Sequence, residues 1–401
     1  MAPLSVPEAL ARILDGVSPT GTDEVDLFGG RGRILASALT AQFSQPPFNA
    51  SAMDGYAVRG ADVAALPARL AVIGEAAAGH PFSGTVADGQ AVRIFTGAPV
   101  PEGADAIVIQ ENTEREADIV IVTDGKPDPA HFRKRGGDFS KGDALLPAGL
   151  KLAPRHLSLA AAMGYGKIPV MRRPVVAILA TGDELVEPGA AVAPGQIVCS
   201  NPYGIAAMAE AAGAEARLIG IARDTVDSLT EKIAAAEGAD VLVTIGGASV
   251  GDHDLVAKVL QANGMTLDFW KIAMRPGKPL IFGRRGAQRV IGVPGNPVSS
   301  LICTRVFVVP LIRKLLGIDA GTDTLLTARL THAIEKNGPR QHYMRARLMQ
   351  GENGLLEVRA AGSQDSSLLE PLSAANCLIV RAAGAEALPE GASVDVLRID
   401  F

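Results

Sequence analysis

Cysteine is scarce and scattered. Cys199, Cys303 and Cys377 are the only three, an odd number with no CxxC pair and no histidine at ligand spacing, which excludes a disulfide framework and a structural zinc site. Reduced thiols in a cytoplasmic protein are expected. Excess positive charge is also missing: the formal net charge is -5, which gives no general attraction to nucleic acid or an anionic membrane. Any basic pocket must be built from a few residues. No uncharged run reaches the ~18 residues of a spanning helix. The opening MetAlaProLeuSerValProGluAlaLeu has neither a basic n-region nor an apolar h-region, so a soluble chain without an export signal is expected. A fixed-period repeat is absent, as are the GxxxxGK(S/T) nucleotide loop and the GxGxxG fingerprint.

What is present is an apolar chain of 401 residues, 48% hydrophobic. At ~100 to 200 residues per domain this spans about two to four domains. Three stretches share one design, a β-branched apolar run that stops in glycine plus acid or proline: Val175 to Leu185, Val241 to Asp254 and Val290 to Pro297. Such runs suit strands buried on both faces, and polar groups just after them gather at the carboxyl edge of a parallel sheet, where open α/β sheets bind ligands.

Strands are predicted near Val175–Ala180, Ala216–Ile221, Val241–Ile245, Leu267–Ile272, Pro279–Phe282 and Val290–Val293. They alternate with helices over Tyr203–Ala212, Thr225–Ala236, Leu255–Ala262 and Val298–Leu316. Gly213 and Gly238 sit where C-terminal glycines belong and Asp224 where an N-cap belongs. The pattern is a doubly wound α/β domain. Before it, Leu10, Ile13 and Leu14 mark a first helix, a second is predicted from Gly30 to Thr40, and short apolar runs between Gln42 and Lys151 read as β-rich. From Thr322 to Phe401, five β-like runs make a small barrel or sandwich.

Several turns could carry chemistry. Asp183 and Glu184 could hold Mg²⁺ or position a water; the alternative is an N-cap acid beside a solvated one. Gly246, Gly247 and Gly251 let backbone amides approach a phosphate, with Ser249 as a donor and Asp252 or Asp254 for a metal; the alternative is a tight turn with a helix cap. Lys271, Arg275 and Lys278 flank prolines that stiffen the segment and suit an oxyanion site. Pro294, Gly295, Asn296 and Pro297 end a strand, with Ser299 and Ser300 in the next helical turn. SerAlaMetAspGlyTyrAla (51 to 57), ThrGlyAla (96 to 98) and ArgGlyGlyAsp (135 to 138) each read alone as turns.

SerAlaMetAspGlyTyrAla, ThrGlyAla, ThrGlyAspGluLeu, GlyGlyAlaSerValGlyAsp, ProGlyLysPro and ProGlyAsnProValSer stand together and in order. In this the chain resembles, over nearly its whole length, the molybdopterin molybdenumtransferase family, the MoeA-like proteins related to the E domain of gephyrin. The resemblance implies a multidomain α/β plus β fold: a doubly wound molybdopterin-binding-like α/β domain at 172–318, a β-rich arm at 42–138 and a small C-terminal β-barrel at 319–401. Residues 21–41 and 139–171 would connect them, and an N-terminal helix at 1–20 would pack on the α/β domain.

It further implies a homodimer whose active site lies between the α/β domain of one subunit and the arm of the other, which gives Asp54, Thr96 and Asp138 a role. The implied reaction uses Mg²⁺ or a similar ion, inserts molybdate into adenylated molybdopterin, and releases AMP and molybdenum cofactor. By the resemblance Asp183, Glu184, Asp224 and Asp254 serve metal binding or acid and base work, with Asp183, Glu184 and Asp254 as metal ligands. The loop Gly246 to Gly251, with Ser249, and the Pro294–Pro297 turn with Ser299 meet phosphate or pterin. Lys271, Arg275, Lys278, Arg340 and Ser366 meet molybdate and phosphate.

Two departures stand out: Arg275 replaces a frequent lysine, and Asp365 adds negative charge beside Ser366. Other readings are the adenylyltransferase that loads molybdopterin, itself also an expected partner, which lacks the arm carrying Asp54 and Thr96, and a non-catalytic molybdopterin-binding scaffold.

Overall fold

The structure is a computed structural model that describes residues 3–247, 255–318, 325–351 and 354–399. The chain forms two compact units, Asp23–Val170 and Met1–Thr22 with Met171–Phe401.

The second unit begins with helix α1, Val6–Leu14. Ser5 caps it and Glu8 returns the bond to the Ser5 amide at 2.9 Å, a reciprocal capping box. Its Val6, Ala9 and Ile13 are buried, and the preceding Leu4 exchanges backbone bonds with Lys271 and Ala273.

In Asp23–Val170, six strands form one sheet: β1 Gly55–Val58, β2 Ala68–Ala76, β3 Gln90–Ile94, β4 Ala106–Ile109, β5 Thr113–Glu116 and β6 Ile119–Val122. Their order is β4-β1-β3-β2-β6-β5. Tyr56 and Val58 pack into one core and Ala57 into the core on the opposite face, as the two-residue pleat requires. Gly55 is obligatory, since a Cβ there would lie 2.0 Å from the Val108 carbonyl. A third core joins Leu35 and Leu39 to Phe139, Leu146, Leu152, Ala160 and Ile168.

The helix predicted from Gly30 to Thr40 does not form. Turns occupy 27–32, Ile34 and Leu35 make β-bridges, and Leu39–Thr40 is a short strand. Gly32 takes φ +71 and a Cβ at Gly30 would lie 2.6 Å from Ile168 Cδ1, so the glycines serve a turn and a close approach that a helix would not allow. β5 was not foreseen, because ThrGluArgGlu lacks an apolar run and is ordered by pairing with β6.

The α/β layer contains β7 Val175–Thr181, α2 Asn201–Ala211, β8 Glu215–Ala222, α3 Val226–Ala235, β9 Val241–Ile245, α4 Leu255–Ala262, β10 Thr266–Lys271, β11 Pro279–Arg285 and β12 Gln288–Val293. The sheet order is β8-β7-β9-β12-β11-β10. The first four strands are parallel, and β10 runs with them because it is antiparallel to β11, which is antiparallel to β12. From β7 the chain goes outward to β8 and then crosses back to β9, a topological switch between β7 and β9. Ala222, Thr181, Ile245 and Val293 end their strands side by side. Six of the seven β7 residues are buried. At roughly 1.5–3 kcal/mol per buried large aliphatic against ~1 per hydrogen bond, packing holds the strand ends more firmly than the polar contacts beyond them.

The helix predicted over Val298–Leu316 is interrupted. α5, Pro297–Cys303, and α6, Val309–Leu315, flank a π turn at Thr304–Val308. Pro310 has no N–H for the α ladder, and the wider turn absorbs the mismatch.

Beyond it, β13 Leu326–Leu330, β14 Gln341–Gln350, β15 Leu356–Ala360, β16 Cys377–Arg381 and β17 Ser393–Arg398 close into a five-stranded barrel, because β14 pairs with both β15 and β16. Ala328, Val358, Cys377, Ile379 and Val396 fill it.

Candidate functional site

The carboxyl edge of the parallel strands opens into a cleft of about 750 Å³. Its walls come from three strand ends and the start of α2: Thr181, Gly182 and Glu184 after β7; Gly246 and Gly247 after β9; Pro294 to Pro297 after β12; and Cys199 to Pro202. Ser367 and Leu369 close one side and Asp224, after β8, another.

The β7 turn folds back on itself. Gly182 adopts φ +149, and a Cβ there would fall 2.4 Å from Glu184 Oε2, so glycine makes room for that carboxylate. Asp224 N donates to Asp183 Oδ1 at 3.2 Å and Arg223 Nη1 donates to the Asp183 carbonyl at 2.9 Å, joining the ends of β7 and β8. Asp224 is not the N-cap that its position suggested. Thr225 is, with its hydroxyl accepting the Ser228 amide at 3.3 Å, so the Asp224 carboxylate is released from that structural duty. Partial desolvation first, and then the charges of Asp183 and Glu184, hold its carboxyl above the usual range.

After β9, Gly246 at φ +90 approaches the Thr181 carbonyl and Gly247 at φ +63 approaches Val256. Ser249, Gly251, Asp252, His253 and Asp254 lie outside the described residues. After β12, Asn201 Nδ2 donates to the Gly295 carbonyl at 2.7 Å. Asn296 leaves its helix uncapped and donates instead to Ser366 Oγ at 2.9 Å. The Ser366 loop is anchored by Arg345, 1% exposed, which donates to the carbonyls of Ser363, Asp365 and Leu368. Asp365 is turned onto the Ser367 amide and hydroxyl, which hold its carboxyl below the usual range. Ser299 is buried in α5.

None of the expected cations lines the cleft; Lys271 and Lys278 sit where β10 ends and β11 begins, and Arg275 and Arg340 sit by the barrel strand. Lys271 ends β10 opposite Pro279 in register and lies 4.9 Å from the Trp270 ring centroid. Lys278 precedes β11 and is exposed. Arg275 lies in a two-residue strand, Met274–Arg275, paired to Gln341–His342, and Arg340 Nη1 donates to the Met274 carbonyl at 3.4 Å. His342, opposite Arg275 in register, is 6% exposed, and its Nε2 has no partner among the described residues. Burial, then Arg275, Arg340, Arg345 and Arg381, push its pKa down to about 4, so it is neutral near pH 7. Cys199 in the cleft wall is pushed up to about 11 by burial, then Glu187 and Glu184, which makes it a poor nucleophile. None of the three cysteines is in a disulfide, and all are buried.

In the Asp23–Val170 unit, Asp54 Oδ1 accepts both the Thr96 amide and hydroxyl at 2.8 Å. These two bonds, amide first, hold the Asp54 carboxyl below its ordinary value. Asp138 is exposed after a turn through Gly136 at φ +72. The structure thus gathers Glu184, Asp224, Gly246, Gly247 and Pro294–Pro297 around one cleft, bonds Asp183 to the Asp224 amide beside it, ties Arg340 to the Met274 carbonyl next to Arg275, and joins Asp54 to Thr96; it does not bring Lys271, Arg275, Lys278 or Arg340 into the cleft wall. Sequence reasoning missed Asn201, Arg223, Arg345 and His342. His342 and Arg345 both stand in the run ArgGlnHisTyrMetArg, 340 to 345, of which only Arg340 was singled out; Asn201 and Arg223 had no signal.

Among the described residues, no group of three His, Cys, Asp or Glu side chains stands ready to hold a metal ion, and no helix is long and apolar enough to cross a membrane.

Three family descriptions match the chain in sequence: the MoeA N-terminal region (domain I and II) at residues 4–164, the "Probable molybdopterin binding domain" at 177–314 and the MoeA C-terminal region (domain IV) at 327–399. The molybdopterin molybdenumtransferase of a Nostoc species is 39% identical over 95% of this chain and 90% of that one. That of Haemophilus influenzae is 36% identical over 94% of each. A crystal structure of the molybdopterin biosynthesis MoeA protein from Pyrococcus horikoshii superposes with a TM-score of 0.87 at 32% identity, covering 99% of both chains. The chain belongs to the molybdopterin molybdenumtransferase family.

Proposed function

We propose that this chain inserts molybdate into adenylated molybdopterin, releasing AMP and molybdenum cofactor, as a cytoplasmic homodimer. Each active site would combine the cleft of one subunit with Asp54, Thr96 and Asp138 of the other. As a member of its family the chain is a transferase of molybdenum cofactor biosynthesis. The observation that carries the reading is the cleft itself: glycine turns and the carboxylates of Glu184 and Asp224 line one strand edge, and the reaction needs phosphate binding and acid and base groups there.

In this reading the arm is 42–138, the cleft domain 172–318 and the barrel 319–401, with 21–41 and 139–171 connecting and the 1–20 helix on the cleft domain. Gly246, Gly247 and the Pro294–Pro297 turn bring backbone close to the pyrophosphate, with Ser249 and Gly251 completing the loop and Ser299 behind it. Lys271, Arg275, Lys278, Arg340 and Ser366 attract and orient molybdate. Glu184 and Asp224 take the proton of the attacking water as the phosphoanhydride opens and AMP departs.

Asp183 and Glu184, with Asp254, would hold Mg²⁺. The fit is one of donor chemistry: hard carboxylate oxygens lie close together, with Asp224 raised first by desolvation and then by the charges of Asp183 and Glu184, and such sites use one or two carboxylates plus substrate phosphates. Bound there, the ion would neutralise phosphate charge.

AMP release by the purified protein, given adenylated molybdopterin, Mg²⁺ and a molybdate titration, tests the reading. Molybdate-dependent release supports it. Tight pterin binding with no turnover at any molybdate concentration would point to a scaffold.

A further inference from the structure

Arg93 is a half-buried cation in β3 that makes no salt bridge among the described residues, its charge contributing only the last of the effects that act on the Asp54 carboxyl. Its guanidinium lies 5.1 Å from the Tyr56 ring centroid and 5.0 Å from that of Phe95. Nη1 donates to the Gly55 carbonyl at 3.2 Å and Nη2 to Gln110 Oε1 at 2.6 Å. These partners adjoin one place in the chain. Gly55 follows Asp54, Phe95 precedes Thr96, and the Gln110 amide donates to the Asp54 carbonyl at 3.1 Å. Three neighbouring strands, β1, β3 and β4, are therefore tied at the end where Asp54 Oδ1 receives both Thr96 bonds.

We infer that Arg93 is the positioning residue of the Asp54–Thr96 pair, fixing the direction of the carboxylate through Gly55, Phe95 and Gln110 without touching substrate itself. The inference rests on the proposed role of Asp54 and Thr96. A planar fork that hydrogen-bonds at two points and stacks on two rings specifies orientation, which a lysine at the same position cannot reproduce. Both Thr96 bonds fall on Oδ1, and Oδ2 has no protein partner among the described residues. The free oxygen's direction is then set by whatever fixes the Asp54 and Thr96 backbones.

The test is steady-state turnover of the full-length protein carrying Arg93→Met, Arg93→Lys, Thr96→Ala, Asp54→Asn and the Arg93→Met/Thr96→Ala pair. A positioning role predicts that Arg93→Met lowers kcat on the order of tenfold, less than the ~10²-fold of a full 1 Å misplacement, with KM for molybdate and for adenylated molybdopterin within about twofold of the parent. In the Thr96→Ala background, Arg93→Met should cost less than about twofold more, since the pair it positions is already broken. Arg93→Lys should fall between parent and Arg93→Met, and it carries the test if the methionine variant fails to fold.

Parental kcat in Arg93→Met, or full additivity with Thr96→Ala, overturns the positioning role. Parental kcat in both Asp54→Asn and Thr96→Ala overturns instead the reading on which it rests.

Discussion

The Asp224 amide donates to Asp183 Oδ1 at 3.2 Å, while the Asp224 carboxyl is held above its ordinary range by desolvation and by Asp183 and Glu184. One residue thus ties two strand ends together and carries an electrostatic burden. Its folded pKa exceeds the unfolded value, so its charge opposes folding once pH rises past the unfolded value. Asp224→Asn should raise the melting temperature slightly at pH 7 in EDTA and low salt, with the gain shrinking at high salt, while slowing turnover. Unchanged or lower thermal stability would remove the burden assigned to Asp224.

Glu184→Gln keeps the size of the side chain that folds over Gly182. It should retain fold and association state while slowing AMP release by about 10²-fold or more, the scale of one acid-base group. A wild-type rate would remove Glu184 from the mechanism.

Lys278→Ala should raise the molybdate concentration for half-maximal rate by about tenfold, the equivalent of roughly 1.5 kcal/mol for one charge-assisted contact. Lys278 is exposed, so stability should hardly move. An unchanged molybdate dependence would shift the oxyanion site away from it.

His342 gives a pH prediction of definite sign. Its folded pKa of about 4 lies below the unfolded value of about 6.5. The unfolded chain therefore binds the extra proton first, and stability is lost as pH falls from 6.5 toward 4. His342→Gln should lose roughly 2 kcal/mol less than the parent between pH 7.5 and pH 5, measured by urea unfolding at each pH. Parallel losses in the two proteins would mean that His342 is not kept neutral by its burial and its arginines.

The α/β layer and the barrel were legible because their strands are continuous apolar runs, and because Gly213 and Gly238 take the positive φ angles, +103 and +75, that their position after a helix suggested. The Gly30–Thr40 segment was misread, since Ile34 and Leu35 look helical until the close approach to Ile168 is known. The polar strand Thr113–Glu116 was invisible because its order comes from a partner strand. Asp224 was misassigned because residue type favours Asp over Thr at an N-cap, whereas the chain starts the helix one residue later, on Thr225. Asn201 and Arg93 act by bonding backbone far away in sequence, which no local pattern reveals.

The central claim, a working site assembled from the cleft of one subunit and the Asp54–Thr96 pair of another, is tested most directly by mixing subunits. Asp54→Asn and Glu184→Gln proteins, each inactive alone, are unfolded, refolded together and assayed for molybdate-dependent AMP release. A shared site predicts recovery of about one quarter of wild-type activity, since half the dimers are mixed and each mixed dimer has one intact site. No recovery, from a mixture shown to contain heterodimers, would contradict a site built from both subunits.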